Sequence, residues 1–113
     1  MRRIVVTGMG VVSPLGCGTG IAWQRLLAGR SGLRRLPDAI VETLPAKVAG
    51  IVPSKAEDAE GGFDPDAVIA PKDQRKMDRF IQFALVAAKE ALEQAGWQPQ
   101  SEAERERTAT VIA

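Results

Sequence analysis

At 113 residues, 45% of them hydrophobic, with 15 basic against 14 acidic side chains, the chain has the make-up of one small globular domain and excludes wholesale disorder. The net charge of +1 excludes a global attraction to nucleic acid or to a membrane surface, so any charge-based function must be local. A lone cysteine, Cys17, and no histidine exclude an internal disulfide and the usual mixed Cys/His metal sites, which fits a reducing cytoplasm.

Ile4-Val5-Val6-Thr7 is a β-branched run, apolar on both faces, and predicts a strand buried in a covered sheet. With Arg2 and Arg3 before it the run imitates a secretory signal, but Thr7, Gly8 and Gly10 interrupt it too early. No stretch approaches the ~18 consecutive apolar residues of a membrane span. Ser13-Pro14-Leu15-Gly16 predicts a turn. Residues 21–28 read as a helix with Thr19 as N-cap, Gly29 as the residue past its end, and Ala22, Trp23, Leu26 and Leu27 facing inward.

Prolines at 37, 45, 53, 65 and 71 then exclude long regular elements, leaving one short strand over residues 46–52. Residues 54–66 have the polarity and breakers of an exposed loop that accepts insertions. A long helix is predicted from Pro71 or Lys72 to Ala95, since Met77, Phe80, Ile81, Ala84, Leu85, Ala88, Leu92 and Ala95 recur at helical spacing and Gly96 supplies a stop. Its apolar stripe, with alanines at 84, 87, 88, 91 and 95, reads as core and not as an acyl-binding wall, and Trp23 and Trp97 read as core anchors. Residues 97–107 read as a surface connection. Residues 108–113 read as the start of a second strand, broken off without turn or cap, as in a chain that continues. This order of elements predicts an α/β fold with a parallel sheet.

The glycine pair at 8 and 10 after a first strand invites a dinucleotide-binding reading, which the spacing refutes. The third glycine or alanine would fall at position 13, a serine, and Pro14 stands where a phosphate-binding helix should be running. There is no Walker-type lysine motif, and neither a cofactor nor a metal site is predicted.

Three segments in order carry a resemblance. Residues 3–16, Arg-Ile-Val-Val-Thr-Gly-Met-Gly-Val-Val-Ser-Pro-Leu-Gly, are followed by Trp23, Leu26-Leu27 and Gly29-Arg30-Ser31-Gly32, and then by Lys72-Asp73-Gln74-Arg75-Lys76-Met77-Asp78-Arg79-Phe80-Ile81. Together they resemble the N-terminal part of the β-ketoacyl-[acyl-carrier-protein] synthases, nearest the elongating synthase II type. The likeness covers most of residues 3–113. Two departures stand out: Cys17-Gly18 where relatives often carry asparagine, and a longer, more acidic stretch at 54–66. The resemblance implies the N-terminal part of a thiolase-like α/β/α layered fold in a cytoplasmic homodimer. It also implies an acyltransferase that joins acyl and malonyl thioesters on acyl carrier protein by decarboxylative condensation in fatty acid elongation. A noncatalytic partner subunit, a carrier-protein-binding module and a polyketide ketosynthase remain as alternatives.

Lys72, Arg75, Lys76 and Arg79 stand at i, i+3, i+4 and i+7, which on one helix gathers four cations along one face. Near a helix N-terminus each costs roughly 0.3 kcal/mol or more against the helix dipole. The residues alone leave two readings open, a solvated face partly neutralised by Asp73 and Asp78, or a dock for an acidic partner. The resemblance favours docking and names the partner as acyl carrier protein, with Lys72, Arg75 and Lys76 as contacts and Arg79 a weaker fourth. Cys17 is not the family's nucleophile: it follows a turn in Leu15-Gly16-Cys17-Gly18 and has no histidine to activate it. No catalytic residue is assigned within the chain, which is expected to be inactive alone.

Overall fold

A computed structural model describes residues 1–112. The chain forms β1 (Val12–Ser13), β2 (Gly16–Cys17), α1 (Thr19–Leu27), β3 (Leu33–Arg35), α2 (Asp38–Val41), β4 (Val48–Gly50), a 3-10 turn (Pro65–Ala67), α3 (Pro71–Gln74), α4 (Arg79–Ala95) and α5 (Glu102–Glu106). The strands make two antiparallel hairpins, β1 with β2 and β3 with β4, the latter pairing Leu33, Arg34 and Arg35 with Gly50, Ala49 and Val48.

The N-terminal run is placed without a strand partner. Residues 4–7 form no strand among the described residues, and Ile4, Val5 and Val6 are 96%, 72% and 79% exposed. A β-branched run becomes a strand only beside another, and no described segment stands beside it. The predicted strand over 108–113 meets the same outcome for 108–112, while Ala113 lies outside the described residues. The parallel sheet expected from sequence is therefore absent among the described residues, and the two sheets present are antiparallel and local.

What fixes the N-terminal segment is α4. A Cβ added at Gly8 would overlap the main-chain oxygen of Ala91, and one at Gly10 that of Ala87. Side-chain-free positions two apart thus lie on a helix whose alanines are four apart, and backbone meets backbone. The alanines suit close packing, as expected, but against an extended segment. Two acceptors on α4 complete the attachment. Gln94 Oε1 accepts from Met9 N at 2.6 Å, and Glu90 Oε2 accepts from Val11 N at 3.0 Å.

Glu90 also ends α1. The helix starts at Thr19, with Gly18 at the cap position and no side-chain cap of its own. The main-chain N–H and hydroxyl of Thr19 both donate to Glu90 Oε1, at 2.7 and 2.8 Å. Thr19 is therefore a donor to a distant carboxylate, not the predicted N-cap. Burial works against the charge on Glu90, but the bonds from Thr19 and Val11 outweigh it and hold the carboxyl below its usual range. Gly29, past the end of α1, and Gly96, past α4, have φ of 69° and 62°, the left-handed stops predicted at both.

The predicted inward face of α1 looks onto open space. Trp23, Leu26 and Leu27 are 59%, 54% and 69% exposed, and Met9, Leu15, Ala22, Trp23 and Leu26 line an open groove of about 640 Å³. The apolar face of α4 is likewise uncovered at Phe80, Leu85 and Leu92, so no residue of the predicted core stripe is fully buried. Trp97 is also exposed, its indole N–H donating to Thr108. The buried apolar side chains are Val41, Phe63 and Ile69 among the described residues.

Residues 54–66 are not the simple exposed loop expected. Gly61, Gly62 and Phe63 are buried, Phe63 bridges in parallel to Ser54, and its ring meets Phe83 of α4 edge-on, centroids 4.8 Å apart. Arg25 of α1 fastens the segment through an ion pair with Asp58, Arg25 Nη2 donating to Asp58 Oδ1 at 3.0 Å and Nη1 to Leu15 O at 2.7 Å. The ion pair with Arg25 and the N–H of Gly61 hold the Asp58 carboxyl well below the usual carboxylate range. Beside it, the Ser54 N–H and hydroxyl, followed by Arg34, lower the Glu57 carboxyl from 4.5 to about 2.

The sign of the acid dependence follows. A carboxyl lowered on folding stabilises the fold above its unfolded value and loses that contribution as pH falls through the folded one. In the full-length protein, the protection of the Gly62 and Phe63 amides against hydrogen exchange, relative to their intrinsic rates at each pH, should therefore fall between pH 4.5 and about 2. Glu57→Gln should shrink that change, and protection factors in the wild type that stay constant over this range would contradict it.

Candidate carrier-protein interface

The predicted single helix over 71–95 is two helices. α3 ends at Gln74, residues 75–77 form a turn, Asp78 is extended with φ −68° and ψ 157°, and α4 starts at Arg79. Four cations at i, i+3, i+4 and i+7 would repel along a continuous face. Asp78, a residue type favoured at N-cap positions, offers the chain a restart. The proposed one-face stripe is thus replaced by a short helix and turn.

Lys72, Arg75 and Lys76 are exposed on this unit. Lys72 lies in α3, Arg75 is its C-cap and Lys76 sits in the turn. Lys76 has a loose contact with Asp73 at 3.9 Å, both side chains largely in solvent, a pair too hydrated to neutralise the patch. Arg79 differs. Its guanidinium carbon lies 5.6 Å from the ring centroid of Phe63 and 5.2 Å from that of Phe83, a cation–π seat that fixes the 54–63 segment on α4. All four predicted cations are exposed, and Arg79 alone also contacts aromatic rings of the segment it rests on.

Cys17 is half-buried, and burial, then Asp58 and Glu90, push its thiol pKa up. A raised thiol pKa suppresses the thiolate, the reactive form. No group of three or more acidic, histidine or cysteine side chains among the described residues is arranged to hold a metal ion.

Sequence reasoning missed Arg25, Asp58, Gln74, Gln82 and Glu90. Arg25, Asp58 and Glu90 act through contacts distant in sequence, Arg25 to Asp58 across 33 positions and Thr19 to Glu90 across 71, while Gln74 and Gln82 act over five to eight positions across a helix break that no sequence pattern marks.

The family model for the β-ketoacyl synthase N-terminal domain matches residues 1–113. The chain belongs to the β-ketoacyl synthase family. This synthase segment is 46% identical over 112 residues to a 3-oxoacyl-[acyl-carrier-protein] synthase 2 of Rhizobium meliloti, covering 99% of the chain and 26% of that protein. It is 41% identical over 95 residues to the protein of the same name in Coxiella burnetii, covering 84% and 21%. A crystal structure of a β-ketoacyl synthase from Burkholderia phymatum superposes with a TM-score of 0.67 at 34% identity, over 90% of the segment and 23% of that chain. The ishigamide ketosynthase/chain length factor gives 0.65 at 33%, over 86% and 22%. The segment thus spans about a quarter of the length of the relatives it matches, and its fold is that of the ketosynthases, α/β and thiolase-like.

Proposed function

We propose that the segment is the N-terminal part of an elongating 3-oxoacyl-[acyl-carrier-protein] synthase, and that Lys72, Arg75 and Lys76 are its contacts with acyl carrier protein. The 46% identity over 112 residues to a 3-oxoacyl-[acyl-carrier-protein] synthase 2 carries the reading. In the complete enzyme an acyl group passes from the carrier thioester to a cysteine, expelling the carrier thiol. Malonyl-carrier protein then loses carbon dioxide, and the carbanion attacks the enzyme thioester, releasing the cysteine thiolate and a 3-oxoacyl chain two carbons longer. The cysteine and the histidines that assist decarboxylation come from outside residues 1–113, since the segment has no histidine and Cys17 is poorly ionised. The complete enzyme works as a cytoplasmic homodimer.

Docking is supported by three exposed cations within five positions, one at a helix C-cap, where positive charge suits the helix dipole. In the full-length synthase, Lys72→Glu with Arg75→Glu should raise the KM for carrier-protein thioesters by about tenfold or more and flatten its dependence on salt. An unchanged KM at low ionic strength overturns the docking assignment. Failure of the wild-type enzyme to extend an acyl-carrier protein with malonyl-carrier protein overturns the reaction.

A polyketide ketosynthase is a second reading. A putative polyketide β-ketoacyl synthase 1 of Streptomyces halstedii is 41% identical over 96 residues. Products that retain keto groups over successive extensions in a reductase-containing mixture would favour it over fatty acid elongation.

A further inference from the structure

Two glutamine amides hold the basic turn and the short helix before it. Gln82, in the first turn of α4, donates back across the break to the main-chain oxygens of Gln74 and Met77, at 3.2 and 3.4 Å. Gln74 donates forward of α3 to Ile69 O and Asp66 Oδ1, both at 2.8 Å. A glutamine amide has two N–H donors: Gln82 directs both into this joint, and Gln74 directs both to the segment before α3, anchoring the helix that carries the turn. Within the turn, Lys76 N donates to Asp73 O at 3.0 Å and Met77 N to Gln74 O at 3.4 Å. The break interrupts the main-chain ladder between α3 and α4, and Gln82 spans it, adding a second donor to Gln74 O and giving Met77 O a side-chain donor.

We propose that Gln74 and Gln82 are positioning residues for carrier-protein recognition. Gln82 ties the two ends of the break and Gln74 anchors α3 on residues 66–69, so that Arg75 and Lys76 are presented as a fixed pair and association does not have to order the turn. The inference rests on the docking reading of Lys72, Arg75 and Lys76. Its physical basis is the ordering cost of binding, which falls when the contact groups are held in place beforehand. Neither glutamine carries charge, so their effect differs from that of the cations: it leaves salt dependence alone and changes affinity through rigidity.

The test uses the full-length synthase with two substrates, a carrier-protein thioester and the matching short pantetheine thioester. Gln82→Met keeps length and helix propensity but removes both donors. It should raise the ratio of the two KM values about fivefold or more, one to two weak hydrogen bonds' worth, with the salt slope of the carrier-protein KM retained. Hydrogen exchange at the Lys76 and Met77 amides should accelerate in the same variant. A simple loss of stability would shift both KM values together. An unchanged ratio, with Lys72→Glu/Arg75→Glu still raising it, overturns the positioning role and leaves docking intact. An unchanged ratio in the charge-reversal variant overturns docking and this inference with it. Should Gln82→Met fail to fold, Gln74→Met decides by the same measurements.

Discussion

Gly10→Ala should destabilise the full-length synthase by about 3 kcal/mol, at the upper end for forcing atoms into a packed site. The added Cβ would lie inside the main chain of Ala87, with the oxygen, carbonyl carbon and Cα of that residue all in the way. Backbone atoms cannot rotate aside as a side chain can, so either residues 8–11 or α4 must move. Movement would stretch the bonds from Met9 N to Gln94 and from Val11 N to Glu90, and with the second the end of α1. The control is Gly20→Ala in α1, where an added Cβ meets nothing within 4 Å. That change should be neutral or stabilise by about 0.5 kcal/mol, because alanine is the better helix former. Thermal midpoints of the two variants should therefore separate clearly, and equal midpoints would refute the close approach of segment and helix.

The 113 residues on their own should give no cooperative thermal transition and should bind a hydrophobic dye such as ANS. The radius of gyration is 17.1 Å, against about 13 Å for a compact domain of this length. Burial is confined to Val41, Phe63 and Ile69 among the apolar side chains described, while Trp23, Leu26, Leu27, Phe80 and Leu92 stay about half exposed or more. So small a buried core does not balance a backbone entropy loss of about 1–2 kcal/mol per ordered residue. A sharp melt with equal calorimetric and van't Hoff enthalpies, from a monomer that ignores ANS, would contradict this.

Local chemistry was legible where one residue decides a local outcome. Gly29 and Gly96 end their helices, Pro71 opens α3, and the 3.6-residue apolar period finds α4. The same period overran at Asp78, because apolar spacing at Met77, Phe80 and Ile81 continues through residues 75–78 and does not mark where the backbone breaks. Strand formation at residues 4–7 and 108–112 was misjudged for a different reason: β propensity describes fitness for a neighbouring strand and cannot say whether one is beside it. The order of motifs disclosed the family, and the charges at 72–76 disclosed a surface. The parts that hold that surface, Gln82 reaching to Gln74 and Arg79 seated on Phe63 and Phe83, depend on three-dimensional proximity. Residues 54–66 looked like solvent-facing chain because its polar composition hides one aromatic anchor, Phe63, and one ion pair made with a distant helix.

The reach of Glu90 sets a timetable for biogenesis. Thr19 waits for an acceptor 71 positions later, and translation at about 5–20 residues per second delivers it roughly four to fourteen seconds afterwards. Throughout that interval residues 8–11 have no α4 to lie against, a window in which a nascent-chain chaperone would find its target.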